Sequence, residues 1–222
     1  MQQLNIEHQE GTGLRLTDFP DALKAVALRG KKAQELADMT LHRHDLITAQ
    51  DCLVALKNAE DRSLEQKVFW RLAVISFLKC FGKNNARATQ LFKEEVLKGD
   101  LMGQEVFEFF KDLRDKNIAH DDNPLMQCLP GAVINKPGAP FKIAKIIGVS
   151  FSAEMNTSEN IQNLELLITK TRMYVESRFD VLCSELTEEL EAVPHADLAR
   201  MESIEYAKPG VKVMKESRKK LF

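Results

Sequence analysis

Through most of this chain apolar side chains recur every third or fourth residue, and one stretch, residues 123–156, breaks that rhythm. The periodic part demands helices with one face in a core. Leu36, Met39, Ile47, Leu53 and Leu56 predict a long helix over residues 31–57. Ser63-Leu64-Glu65-Gln66 reads as the start of a second, lined by Phe69, Leu72, Ala73, Ser76, Phe77 and Cys80 and stopped by Gly82-Lys83-Asn84-Asn85. Helices are expected over 86–97, ended by Lys98-Gly99-Asp100, and over 103–117, where Val106, Phe107, Phe109, Phe110 and Leu113 share a side. A last one spans 158–192 through Ile161, Leu164, Ile168, Thr171, Val175 and Leu182, with Pro194 as its stop. Thr17-Asp18-Phe19-Pro20-Asp21 predicts a further short helix reaching Arg29, with Gly30 as a stop or kink.

The fold class that follows is mainly α, an antiparallel helical bundle with a short β-hairpin or extended insertion. The insertion is residues 123–156, crowded with Pro124, Pro130, Gly131, Pro137, Gly138 and Pro140 and rich in β-branched residues. Lys136-Pro137-Gly138-Ala139-Pro140 is its expected turn. Because the segment follows His120 directly, it is placed to pack over that region. Residues 1–16, polar and holding Gly11-Thr12-Gly13, read as a flexible lead-in, residues 17–193 as the bundle, and residues 194–222 as a basic tail. After Pro209-Gly210, Lys212, Lys215, Arg218, Lys219 and Lys220 face only Glu216, which suits either a solvated end or an arm that attracts phosphates.

At 222 residues the chain can bury one sizeable core, and 44% hydrophobic with 29% charged residues is an ordinary globular composition. A net charge of -2 excludes a globally basic nucleic-acid binder, so any RNA contact is local. Cys52, Cys80, Cys128 and Cys183 are scattered, form no Cys-x-x-Cys pair, and follow no leader-like opening, which leads to the expectation of reduced thiols in a cytoplasmic protein. No apolar run approaches the ~20 residues of a membrane helix, so no membrane partner is expected. No zinc spacing appears, and neither a metal nor another cofactor is expected.

Chemistry concentrates in Leu113-Arg114-Asp115-Lys116-Asn117-Ile118-Ala119-His120-Asp121-Asp122. Arg114 falls on the last turn of the 103–117 helix, and the acidic run before Pro124 ends that helix. Six residues at about 100° each leave Arg114 and His120 roughly 120° apart on a continuous helix, whereas Asn117 lies within about 60° of Arg114. Convergence of Arg114 and His120 on one phosphate therefore needs the helix to unwind near Ala119, or two copies of the motif to face each other.

The segment resembles the signature of the HEPN superfamily (higher eukaryotes and prokaryotes nucleotide-binding domain), an Arg, four to six residues and a His, with a polar residue after the Arg. Here the gap is five residues and Asp115 fills the polar position, and Arg-Asp-Lys-Asn-Ile-Ala-His-Asp looks most like the abortive-infection U-type branch. The resemblance implies a helical homodimer in which two Arg-His sets line one cleft and cut RNA without metal, in a phage-defence or toxin-antitoxin setting with a cognate antitoxin. Arg114 and His120 match the catalytic positions, the guanidinium suited to clamping phosphate and the imidazole to moving protons. Asp115, Asn117 and Asp121 are supporting candidates: Asn117 by helical phase, Asp121 or Asp122 to orient the imidazole or merely to cap the helix.

Other readings stay open. Arg114 with Asp115 or Glu108 is also what an ordinary surface ion pair looks like, and His120, seven residues after Leu113, packs on the apolar face if the helix continues. A non-enzymatic helical interaction module and a nucleotide-binding module both follow from the same motif. His42-Arg43-His44-Asp45 offers metal-ligand residue types, but alternate helical residues point about 200° apart, so exposed polar residues are the expectation there. Phe69, Trp70, Phe77, Phe81 and Phe92 are read as core.

Overall fold

A computed structural model of the chain describes residues 6–9 and 13–16 by their backbone and residues 18–61, 63–83 and 87–205 in full. The protein is mainly helical, with 58% of the fully described residues in helix. In chain order the described elements are β1 (Ile6–Gln9), β2 (Gly13–Leu16), α1 (Lys31–Asn58), α2 (Leu64–Lys79), α3 (Lys93–Val96), α4 (Leu101–Leu113), a π-helical turn (Arg114–Ile118), β3 (Met126–Ile134), β4 (Ile143–Ser152), α5 (Ser158–Glu191) and α6 (His195–Arg200). The strands form two antiparallel hairpins, β1 with β2 and β3 with β4. No described helix is long and apolar enough to cross a membrane. The contacts divide the chain into two units, residues 1–44, 82–91 and 171–222 in one and residues 45–81 and 92–170 in the other.

In the first unit the decisive feature is polar and buried. Gln34, Asp38 and His42 follow one another every four residues along α1, and each is at most 2% exposed. Asp38 is the hub. Its Oδ2 accepts from the backbone N–H groups of Ala88 and Thr89 at 2.8 and 3.0 Å, and its Oδ1 accepts from Gln34 Nε2 at 3.0 Å. His42 Nε2 meets the Thr89 carbonyl at 2.9 Å and its Nδ1 meets Arg87 at 3.0 Å. A carbonyl can only accept and a guanidinium can only donate, so the proton sits on Nε2 of a neutral ring. These bonds hold residues 87–89 in an irregular path, which is why the helix expected over 86–97 shrinks to α3. The expected exposure at His42 and Asp45 is likewise corrected: His42 is 1% and Asp45 6% exposed, while His44 is exposed.

The expected helix before Arg29 is also absent. Val26 bridges Ser203, with Ala27 N–H donating to Glu202 O at 2.8 Å and Ile204 N–H to Ala25 O at 3.0 Å. Those backbone groups are committed to a distant segment and cannot close helical turns. Gly30 then takes φ +97°, the left-handed region, immediately before α1 begins. Where the sequence suggested an unstructured lead-in, β1 and β2 pair Ile6 with Leu16 and Gln9 with Gly13. The start of the expected tail carries α6, and the basic stretch from Lys212 onward lies outside the described residues.

The second unit has an aromatic core. Ser63 caps α2 by accepting from Gln66 N–H at 3.1 Å. Trp70 and Phe77 of α2 are 1% and 0% exposed and meet Phe110 and Phe107 of α4 edge to face, with centroids 6.0 Å apart in each pair. Phe92, expected in the core, is 50% exposed. Helix α4 starts two residues before the sequence suggested because Asp100 caps it, accepting from Gly103 N–H at 2.9 Å and held by Lys170. That carboxylate sits 2.3 Å from where a Cβ on residue 103 would be, so the cap requires glycine there.

Two substitutions separate these devices. Asp38→Ala removes a fully buried carboxylate together with its bonds to the Ala88 and Thr89 N–H groups and should cost about 2 kcal/mol in urea unfolding, whereas Ser63→Ala should cost about 1 kcal/mol.

Candidate functional site

The predicted site lies at the end of α4, where the helix widens into a π-turn rather than simply fraying. Residues 114–118 form a π-helical turn, closed by Ala119 N–H donating to Arg114 O at 2.8 Å, a span of five residues. Such a turn inserts one residue into the helical count, and recurs at functional sites. The chain then leaves the helix, with Asp122 N–H returning to Lys116 O at 2.8 Å. His120 therefore stands beyond the last helical residue and is exposed. It does not pack on the apolar face, the position it would hold on an uninterrupted helix.

The supporting candidates separate clearly. Asn117 continues the buried line of Phe110 and Leu113 and is 8% exposed, so it faces inward while Arg114 is half-buried. Asp115 is joined to Arg114 directly: its Oδ1 accepts from Nε and from NH2, both at 2.6 Å. The Arg114 guanidinium holds the Asp115 carboxyl below its ordinary range, helped by the charges of Lys111 and His120. Glu108, the other possible partner for Arg114, is instead engaged by Lys93 and lies 3.7 Å from Lys111. Asp121 is exposed, and the helix ends at Ile118, three residues before it.

The neighbouring hairpin is longer than expected. β3 and β4 pair in register from Met126 opposite Ser152 to Val133 opposite Lys145, with an irregularity before Ile134 meets Ile143. Its root is fastened by Ala153 N–H to Leu125 O at 2.8 Å and by Arg71 of α2, whose NH2 lies 2.6 Å from Glu154 Oε1. Beside that ion pair a cavity of about 290 Å³ opens between Gln66, Lys67, Ser152 and Asn156.

Sequence reasoning passed over the Asp38-His42-Arg87 network. Its signal was present: Gln34, Asp38, His42 and Asp45 repeat at four, four and three residues, a polar stripe with the periodicity of a core face. Among the described residues no three His, Cys, Asp or Glu side chains gather into a metal-binding set. Cys52 and Cys80 are buried, Cys128 is exposed, Cys183 is intermediate, and all four are free thiols.

No known protein family, no curated protein and no solved structure matches this chain.

The Arg114–Asp115 pair makes a pH prediction. Because the folded-state pKa of Asp115 is lowered, the pair's contribution is present above the ordinary aspartate range and is lost as pH falls through the depressed folded value. Carboxyl NMR should place the Asp115 titration below about 3.9 in the native protein and move it upward in Arg114→Ala.

Proposed function

We propose that this protein is a HEPN-like, metal-independent endoribonuclease acting as a homodimer, with Arg114 and His120 as its reacting residues. The observation that carries the reading is the π-turn, which has a half-buried arginine, oriented by Asp115, at its start and an exposed histidine two residues past its end. The antiparallel bundle of the HEPN type, the defence or toxin-antitoxin setting and the cognate antitoxin rest on the sequence resemblance.

In the proposed reaction the ribose 2′-oxygen attacks the adjacent phosphorus as a base takes its proton. The bond from phosphorus to the 5′-oxygen breaks, and an acid returns a proton to that leaving oxygen. A 2′,3′-cyclic phosphate and a 5′-hydroxyl result. Arg114 neutralises the charge that gathers on the non-bridging oxygens. His120 supplies one of the two proton transfers. One histidine per chain at the site leaves the other transfer unfilled, and the His120 of a second copy would fill it. A surface suited to that copy runs along α2, where Leu64, Val68, Leu72 and Ile75 are exposed in one helical stripe, from 41% to 74% of their area.

A second reading, a noncatalytic interaction or nucleotide-binding module, is favoured by one observation: two donors of the Arg114 guanidinium already serve Asp115. The two readings part in one assay. RNA incubated with the purified protein in EDTA should yield cyclic phosphate ends, and His120→Ala and Arg114→Ala should each lower the rate at least about 100-fold. Both side chains are away from the core, so unfolding free energies should stay within about 0.5 kcal/mol of the parent. Cleavage that is absent in the parent, or indifferent to both substitutions, transfers the assignment to the binding module.

A further inference from the structure

We infer that the tip of the β3–β4 hairpin is a contact site for an anionic lipid surface. From Asn123 to Ala153 the chain carries no Asp or Glu, and its charges are Lys136, Lys142 and Lys145. All three lysines sit at the turn end. Between the first two lies Pro137-Gly138-Ala139-Pro140-Phe141, five exposed residues without a polar side chain. Turns that face only water are built from Asn, Asp, Ser and Gly, whose side chains or freedom serve the backbone. This one keeps the proline and glycine that shape a turn and replaces the rest with apolar groups.

The apolar character continues down both strands. Phe141 is 76%, Ile134 73%, Ile146 70% and Ile143 48% exposed. It also occupies both faces of the hairpin. Side chains alternate along a strand, so the register sets Leu129, Val133, Val149 and Phe151 on one side and Ala132 with Ile146 on the other. A groove on a folded partner covers one face, whereas immersion in the boundary between headgroups and acyl chains covers both.

Part of the backbone at the tip is already satisfied for that transfer. An unpaired amide leaving water is costly. Pro137 and Pro140 have no N–H, Ala139 N–H donates to Lys136 O at 3.2 Å, and Asn135 donates its N–H to Lys142 O at 2.9 Å and its Nδ2 to Phe141 O at 3.0 Å. The lysines complete the arrangement, since their methylene stems can lie along the apolar tip while the ammonium groups reach phosphate. Single-stranded RNA would answer the same charge, but it is held by stacking platforms and guanidinium groups. Here the exposed tip is mostly aliphatic and contains no arginine. The depth reached is that of a peripheral contact, about 5–10 Å, and not a span.

The test is flotation of the full-length protein with phosphatidylcholine vesicles, with and without phosphatidylglycerol. The protein should float with the anionic vesicles alone. Phe141→Ser combined with Ile146→Ser, and Lys136, Lys142 and Lys145 all changed to Gln, should each reduce capture at least tenfold while circular dichroism stays unchanged. Phe141→Trp supplies an independent reading, because its emission should shift to the blue on anionic vesicles while Trp70, 1% exposed, stays constant. No capture of the parent, capture that survives both sets of changes, or a tryptophan that does not respond overturns the proposal. Loss of RNA retention in the lysine variant, with vesicle capture intact, would assign the tip to RNA instead.

Discussion

The edge-to-face packing of Trp70 and Phe77 on Phe107 and Phe110 is the constraint on which the candidate site depends. It fixes α4 against α2 one turn before the helix widens, so the π-turn starts from an immobile support. Leu113 and Asn117 extend the same buried line through the widened turn, at 4% and 8% exposure. The inward side of the turn is therefore occupied by packing. Arg114, Asp115 and the segment from Ala119 onward are left on the accessible side, where a ligand can be met. Arg71, one residue after Trp70, carries the same support to the hairpin root through Glu154.

Burying a polar stripe serves a different purpose from burying an aromatic one. Asp38 and His42 would each be costly in the interior without partners, and residues 87–89 satisfy them with three backbone groups and the Arg87 guanidinium. Apolar packing tolerates sliding. A carboxylate that needs two particular N–H groups does not, so this network sets the path of residues 87–89 against α1. Such an arrangement spends little of the sequence on the loop itself: Ala88 contributes only its backbone, and any residue but proline could do the same.

Long helices were legible because 28 residues of α1 and 34 of α5 hold their periodicity over many turns. The β3–β4 hairpin was legible from its prolines and β-branched residues. What escaped were elements decided by distant partners. The segment before Arg29 has acceptable helix-start chemistry, yet Glu202 takes its backbone hydrogen bonds from 175 residues away in sequence, at Ala27. Residues 87–92 have helical composition, yet Asp38 claims the N–H groups of Ala88 and Thr89. At the candidate site, Arg114 and His120 were singled out by their spacing, and a break near Ala119 was one of two ways helical phase allowed them to converge. The form of the break was not readable, because a π-turn and a frayed end satisfy the same sequence.

Asp115 poses the sharpest question about how such a site would work, since the carboxylate that orients Arg114 also neutralises it. The magnitudes favour orientation. The pair is 30% and 44% exposed on its two sides, and ion pairs in that setting are worth about 0–1 kcal/mol once solvent screening is allowed for. In the proposed reaction a phosphodiester would displace little by sharing the guanidinium, and charge developing on phosphorus oxygens would strengthen its claim. The carboxylate would thus limit the rotamers open to Arg114 beforehand and yield most readily to the most highly charged point on the reaction path. That is the differential binding that transition-state stabilisation requires.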